Sequence, residues 1–386
     1  MTPAPFQPRV LVVPASYFSR QRTVGGGERY AFEYARALAA LTPTTLGLFD
    51  TGIGVGTDGP LTVRRFAVSG FNERWWFPAT RATRAALGGF DILHAMDFPT
   101  PLADLLALLA RWRGRKFILT DVGGGGVCWS TRLRYRIPRL DLNRLAHGLA
   151  PISNYSAGFF RDWKQPKEVL HGGVRKAELP PVSNGSPGPD ADTGAYALYV
   201  GRLLPHKGVL QLVESIDATT PLHVVGRPYD AGYAAAVQKA ASGKRVTFVF
   251  DADDNELRRQ YNGARVVLQP SIPAGDVAQD KAELLGLVAI EGMASGKPVI
   301  VTRTASLPEL VVEGETGLVV PPHDRDAMRA AISRFMNDPA YAWQVGAAAR
   351  RHVERQFTWE SAAQRGLDLY RRVTMPKSSE GCATAA

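Results

Sequence analysis

Short apolar runs that read as buried strands alternate along this chain with stretches whose apolar residues recur at helical spacing. VLVV at 10–13 closes on Pro14 and is followed, after a loop, by GGGERYAFEYARALAAL, where Tyr30, Phe32, Tyr34, Ala35 and Leu38 predict a helix. TLGLF (45–49), VRRF (63–66), DILH (91–94), KFILT (116–120) and GLAPIS (148–153) continue the series, with LADLLALLARW the clearest helical pattern between them. EVLHGGV at 168–174 closes this half. Residues 175–194, RKAELPPVSNGSPGPDADTG, have the composition of a linker. The alternation then restarts as YALYVGR, PLHVVGR, RVTFVF, ARVVLQPS, KPVIVT and GLVVPP, with a helix expected after each of the first four. Strands alternating with helices predict parallel sheets covered on both faces. The fold class expected is α/β: two doubly wound, Rossmann-like domains, 1–174 and 195–357, facing each other across a cleft, with ligands at the carboxyl ends of strands. A last helix is expected over 358–375, with Thr358 as N-cap and Trp359, Ala362, Ala363, Leu367 and Tyr370 as its apolar stripe. Residues 376–386 read as a disordered tail.

Composition narrows the class. At 386 residues the chain exceeds one ordinary core and suits two. No apolar stretch reaches membrane-spanning length, since LADLLALLARW is broken by Asp104 and ended by Arg111, and Met1–Arg9 is unlike a signal peptide. Cys128 and Cys382 form no metal or redox pattern, so a reducing, cytoplasmic setting is expected, in which the sequons at Asn154 and Asn184 carry no meaning. The net charge of +10 is unevenly spread: through His171 there are 22 Lys and Arg against 12 Asp and Glu, and from Gly172 onward 24 against 24. The basic residues alternate with large apolar ones in RWWFPATRATR, RWRGRK and RLRYRIPRLDLNR. A solvated charged face explains one such run; three in one domain, with Trp75, Trp76 and Trp112 beside arginines, point to an anionic membrane surface. Nucleic acid is not expected, because no helix-turn-helix, zinc-finger or RNA-recognition signature accompanies the charge.

The chemistry concentrates in Glu283–Thr302, ELLGLVAIEGMASGKPVIVT. A helix starting near Leu287 presents free amides and a partial positive charge, a setting that favours an anion. Val288, Ala289, Ile290, Met293 and Ala294 make it apolar on most sides, so Glu291 needs a partner. Eight residues of helix rise roughly 12 Å, so Glu283 and Glu291 bracket an elongated ligand better than they share one atom. YVGRLLPHKGV, at 199–209, sets Arg202 and Lys207 in a loop between Gly201 and Gly208, a planar fork and a point charge suited to a diphosphate. GGGERY, with Gly25 and Gly26, offers amides directly before a helix but lacks the spacing of the dinucleotide fingerprint. For each lone residue, a solvated loop charge or a helix salt bridge competes with these readings.

ELLGLVAIEGMASGKPVI resembles the Glu-x7-Glu signature of glycosyltransferase family 4, retaining nucleotide-sugar enzymes of the GT-B fold, and YVGRLLPHKG resembles that family's Gly-Arg-x4-Lys-Gly segment. The resemblance runs from Arg9 to Arg372. It implies a retaining hexosyltransferase that uses a nucleoside-diphosphate sugar and a hydroxyl acceptor, lipid-linked or part of a polysaccharide or glycoconjugate, with no cofactor and no metal. It further implies that Glu283 meets the donor sugar, Glu291 the ribose, Arg202 and Lys207 the diphosphate, and that Gly25, Gly26, Gly201, Leu284, Gly286, Leu287 and Val288 line the donor. The last helix would cross back to the first domain. His94 matches an acceptor-side position of the family's His-x-His, with Met96 in the second place; Asp121 and Gly123 follow on that side. TASLPELVVEGETGL matches a further segment, in which Ala305 and Ser306 replace two frequent glycines and Glu309 is taken as a cap or pairing residue.

Other matches fail. DAD at 251–253 follows a strand and reads as a turn, with Asn255 near the base, not as a metal site. GMASGKP at 292–298 is a residue short of a P-loop and has Pro298 where Ser or Thr is needed. The rival from another class is a non-catalytic sugar-nucleotide-binding protein, motivated by Met96; an epimerase or phosphorylase ranks below it.

Overall fold

The computed structural model describes residues 6–14, 26–50, 53–69, 77–78, 87–96, 101–122, 145–178, 195–273, 275 and 282–375. The expectations placed on Gly25, Gly123, Trp75, Trp76, both cysteines, most of the linker and the tail lie outside them. The chain divides into two compact units: Met1–Ile152, Ser156–Leu170 and Glu360–Ala386 in the first, Ser153–Tyr155 and His171–Trp359 in the second. The division falls at Leu170, where the reading above set it at 174, and residues 176–178 of the expected linker form one 3₁₀ turn.

In the first unit, strands β1 (Val10–Pro14), β2 (Thr44–Asp50), β3 (Gly54–Asp58), β4 (Leu61–Ser69), β5 (Phe77–Pro78), β6 (Ile92–Met96), β7 (Lys116–Leu119) and β8 (Gly148–Leu149) form one sheet. Its order is β3-β4-β2-β1-β6-β7-β8, with β5 beside β4. Pairing is parallel except where β3 and β5 meet β4. Helices α1 (Gly26–Ala39) and α2 (Pro101–Trp112) follow β1 and β6. β3 is a strand that the hydrophobic pattern does not reveal: GVGTD is a mostly exposed edge, held by the register Thr57↔Thr62 and not by burial. GLAPIS yields only the two residues of β8, and EVLHGGV makes, in place of a strand, one isolated bridge from Val174 to Thr358.

The second unit contains α3 (Asn154–Gly158) only through its first residues. Its sheet consists of β9 (Tyr196–Val200), β10 (Leu222–Val225), β11 (Val246–Val249), β12 (Ala264–Gln269), β13 (Val299–Thr302) and β14 (Gly317–Val320), in the order β11-β10-β9-β12-β13-β14. All pairs are parallel. Chain order turns back between β9 and β12, which opens a crevice at their carboxyl ends. The connecting helices are α4 (Val209–Ser215), α5 (Ala231–Ala240), α6 (Asp254–Gly263), α7 (Leu287–Ala294), α8 (Arg325–Asn337) and α9 (Pro339–Gln356). Helix α10 (Trp359–Thr374) has all but its first residue in the first unit.

The starts of these helices differ in a way that matters. α5, α6, α8 and α9 are each capped by an aspartate, Asp230, Asp253, Asp324 and Asp338, whose side chain accepts the third amide of the helix. Each such cap contributes about 1 kcal/mol. α4 and α7 begin instead on Gly208 and Gly286, with no side-chain cap.

Candidate donor site of the second unit

The loops after β9 and β12 meet across the crevice. Gly208, at φ 70°, lies so close to the Pro270 carbonyl that a Cβ there would sit 1.9 Å from its oxygen. The Ile272 amide donates to the His206 carbonyl at 3.0 Å. These contacts bring Lys207 beside Ser271 and Glu283. The Lys207 ammonium forms an ion pair with the Glu283 carboxylate, and the Ser271 hydroxyl lies 3.4 Å from the same oxygen. Burial opposes ionisation of Glu283; Lys207, the Gln269 amide and the field of His206 outweigh it and hold the carboxyl below the usual glutamate range. The hydroxyl and amide of Ser306 both bond the Glu283 carbonyl.

Helix α7 is buried except for Leu287, Val288 and Glu291, which are half-exposed. These three share one face, and they are residues for which the family resemblance implies contact with the donor. The amides of Leu287 and Val288 have no partner among the described residues, while Ala289 donates to Gln269 Oε1 at 3.2 Å. Gly286 cannot carry a side chain: its φ is 78°, and a Cβ would lie 2.6 Å from Leu307 and 2.9 Å from Leu310. The open first turn of α7 therefore stays against Glu283, and its amides and dipole suit an anion. Tyr261 supplies the partner that Glu291 needs, donating its hydroxyl at 2.9 Å.

Arg202 is exposed, makes no ion pair among the described residues, and stacks over the Tyr229 ring at 5.4 Å. Gly201 is half-buried directly after β9, and Leu284 is buried. Asp253 of the DAD turn caps α6, and Asp251 pairs with Arg227 at 3.4 Å. Glu309 accepts the amides of Asn154, at 2.7 Å, and Tyr155, the capping role expected of it.

The remaining sequence candidates belong to the first unit. Gly26 is the exposed first residue of α1. His94, expected at an accessible strand end, is the central residue of β6 and fully buried. Its Nδ1 bonds the Tyr370 hydroxyl and its Nε2 the Thr120 hydroxyl, both at 2.7 Å, and burial pushes its pKa down to about 3. Both ring nitrogens are occupied, so the group as placed cannot touch a substrate. Asp121 is likewise fully buried.

Residues 187–352 match the family described as Glycosyl transferases group 1. That segment, which holds Arg202, Lys207, Glu283 and Glu291, is similar to the family. It is 30% identical over 196 residues to D-inositol 3-phosphate glycosyltransferase of Corynebacterium glutamicum (strain R), covering 47% of this chain and 44% of that protein. It is 28% identical over 292 residues to the GDP-mannose-dependent alpha-(1-6)-phosphatidylinositol monomannoside mannosyltransferase of Mycolicibacterium smegmatis, covering 70% and 73%. The chain thus spans less than half the length of the first curated relatives it matches. Among solved structures it resembles Anabaena Alr3699/HepE in complex with UDP-glucose, at 17% identity, 95% and 100% coverage and a TM-score of 0.70. The fold is GT-B, built from two parallel-sheet units.

Gln269, Ser271, Tyr261 and Tyr229 went unnoticed in the sequence. For Gln269 a signal exists, a polar residue ending the apolar run ARVVLQ; the others leave none without the fold.

Proposed function

We propose that the chain transfers a hexose from a nucleoside-diphosphate sugar to a hydroxyl acceptor with retention of anomeric configuration. The observation that carries this reading is the Lys207–Glu283 ion pair beside the open first turn of α7. Lys207, Arg202 and the Leu287 and Val288 amides offset the charge that builds on the departing diphosphate. Glu283 orients the sugar hydroxyls and is held ionised by its neighbours, while Glu291, steadied by Tyr261, takes the ribose. The leaving phosphate accepts the acceptor proton on the same face. Two fixed cations supply the charge that a metal provides elsewhere, so excess EDTA should leave the rate unchanged.

The relatives' names include an inositol phosphate and a phosphatidylinositol mannoside as acceptors, consistent with a polar-headed or lipid-linked glycoconjugate here. No helix among the described residues is long and apolar enough to cross a membrane, so a lipid-linked acceptor would be met at a surface of the first unit. Thermal shift against UDP, GDP and ADP and their sugars, followed by product analysis, tests the reading. Stabilisation by one nucleotide and transfer from its sugar support it; no shift with any of them overturns it. A second reading, binding without turnover, draws on the burial of His94, Met96 and Asp121, and predicts tight donor binding with no product.

A further inference from the structure

Glu309 lies on the 3₁₀ turn Leu307–Leu310, and its two carboxylate oxygens accept different backbone amides: Oε2 that of Asn154 at 2.7 Å, Oε1 that of Tyr155. The His171 ring stands 3.6 Å from the same carboxylate. These partners are where the chain enters the second unit: Ser153–Tyr155 is a three-residue excursion between Ile152 and Ser156, and His171 begins the long segment that ends at Trp359. The same turn also meets the donor loop. Ser306, directly before it, gives its hydroxyl, at 2.7 Å, and its amide, at 3.2 Å, to the Glu283 carbonyl. Leu307 and Leu310 are the side chains that a Cβ on Gly286 would strike. A four-residue 3₁₀ turn has little stability of its own, and this one starts without a side-chain cap, just after Ala305 at φ 49°. Burial of its two leucines holds the turn in the unit, but apolar contact has no direction. Direction comes from hydrogen bonds, and these run from Glu309 to the entry segments and from Ser306 to Glu283. The Glu283 side chain pairs with Lys207, on which the diphosphate draws in the reading above, so its backbone needs a support that donor binding leaves in place.

We propose that Glu309 is a positioning residue of the donor site: anchored on the two entry segments, it fixes the turn that holds the Glu283 carbonyl through Ser306 and backs Gly286 through its leucines. This rests on the donor-site reading given above. Without the anchor, Leu307 and Leu310 stay buried, but the turn is free to rotate and Ser306 releases the Glu283 carbonyl. The sugar-binding acid then loses its place, while Arg202, Lys207 and the α7 amides, which meet the diphosphate, keep theirs.

Two substitutions test it. Glu309→Ala removes both accepting oxygens, and Glu309→Gln, whose nitrogen cannot accept, leaves one. Hydrogen exchange in the ligand-free chain reads the tie directly: the Ser306 amide should exchange about tenfold faster or more in Glu309→Ala than in the parent, and by a smaller factor in Glu309→Gln, with the β9 amides unchanged. A cap that serves α3 alone predicts faster exchange at Asn154 and Tyr155 and no change at Ser306. In turnover, Glu309→Ala should lower kcat/KM about tenfold or more for whichever of UDP-glucose and GDP-mannose is used, while affinity for UDP or GDP alone stays within about threefold. Ser306 exchange at the parent rate in both variants, or parent-like kcat/KM in Glu309→Ala, overturns the proposal. Should Glu309→Ala fail to fold, Glu309→Gln decides by the same two measurements. Should the parent chain transfer neither sugar, the donor reading fails separately, and the exchange measurement, which needs no ligand, decides the present point.

Discussion

Lys207 and Glu283 show how a pair can be readable in sequence while its state is not. The motif spacing pointed to both residues, yet their joining in one ion pair depends on the close approach of Gly208 to Pro270 across the crevice. The pKa of Glu283 is depressed in the folded chain, so its contribution is present above the unfolded-state glutamate value and is lost as pH falls through the lower folded value. Lys207→Met removes the main favourable partner and leaves burial to raise that pKa. We expect a loss of up to about 3 kcal/mol at pH 7, part of which returns on acidification to pH 5, measured by urea unfolding at both pH values. Donor affinity should fall roughly 10- to 100-fold, the range for one charge-assisted hydrogen bond. Ala305 sits at φ 49°, where an L side chain is strained by about 1–2 kcal/mol, in the loop whose next residue bonds the Glu283 carbonyl. Ala305→Gly relieves that strain and gives back about 0.4–1 kcal/mol of unfolded-chain entropy, for a net gain of up to about 1 kcal/mol in the same assay. His94 is the opposite lesson: motif position suggested chemistry, and only the packing of Tyr34, Thr120 and Tyr370 around it reveals a core residue.

Whole elements were legible where burial on both faces or a helical stripe set the pattern. YALYV and VIVT became central strands, and Trp359, Ala362, Ala363, Leu367 and Tyr370 are all buried along α10. The β3 edge was not legible, because hydrogen bonding to β4 holds it and its side chains face outward. Helix α10 is tied into the first unit by polar groups too: Tyr370 bonds both His94 and Tyr34, at 2.7 and 3.0 Å. His94→Ala would leave the Tyr370 hydroxyl with Tyr34 alone and take the His94 partner from the buried Thr120 hydroxyl, and should cost about 1–3 kcal/mol, the range for one unsatisfied buried group. The acid limb of the stability curve gives a second readout. The folded imidazole stays neutral down to about pH 3, whereas the unfolded one takes up its proton near 6.5. Between these values the unfolded chain binds the extra proton, so stability falls as pH falls, by about 1.4 kcal/mol per unit. The limb should be shallower in His94→Ala. A variant with parent-like stability and slope but no activity would return His94 to the chemistry.

At the scale of the molecule, the uneven charge is the feature that fold and donor site leave unexplained. All of the net +10 lies before Gly172, although the residues of the candidate donor site lie after it. A patch of the first unit gives this charge a surface. Trp112 ends α2 with 75% of its area exposed and Leu108, one turn earlier, is 45% exposed. Arg111 is exposed in the same turn, and the Arg113 guanidinium stacks on the Trp112 ring at 4.9 Å. An indole among arginines next to an exposed leucine suits the headgroup boundary of an anionic bilayer, where the ring enters the interface and each cation adds about 1 kcal/mol. Sedimentation with phosphatidylserine-containing vesicles should therefore show binding at low salt that weakens as the screening length shrinks, and none with neutral vesicles. Trp112→Ala should reduce binding several-fold at low salt, whereas Arg111→Ala with Arg113→Ala should chiefly flatten the salt dependence. Neither change should alter the affinity for UDP or GDP, because both are substitutions in the first unit, whereas the residues of the candidate donor site belong to the second. Binding that is absent at low salt, or indifferent to both sets of substitutions, would mean that the basic half serves a soluble anionic partner or solvation alone.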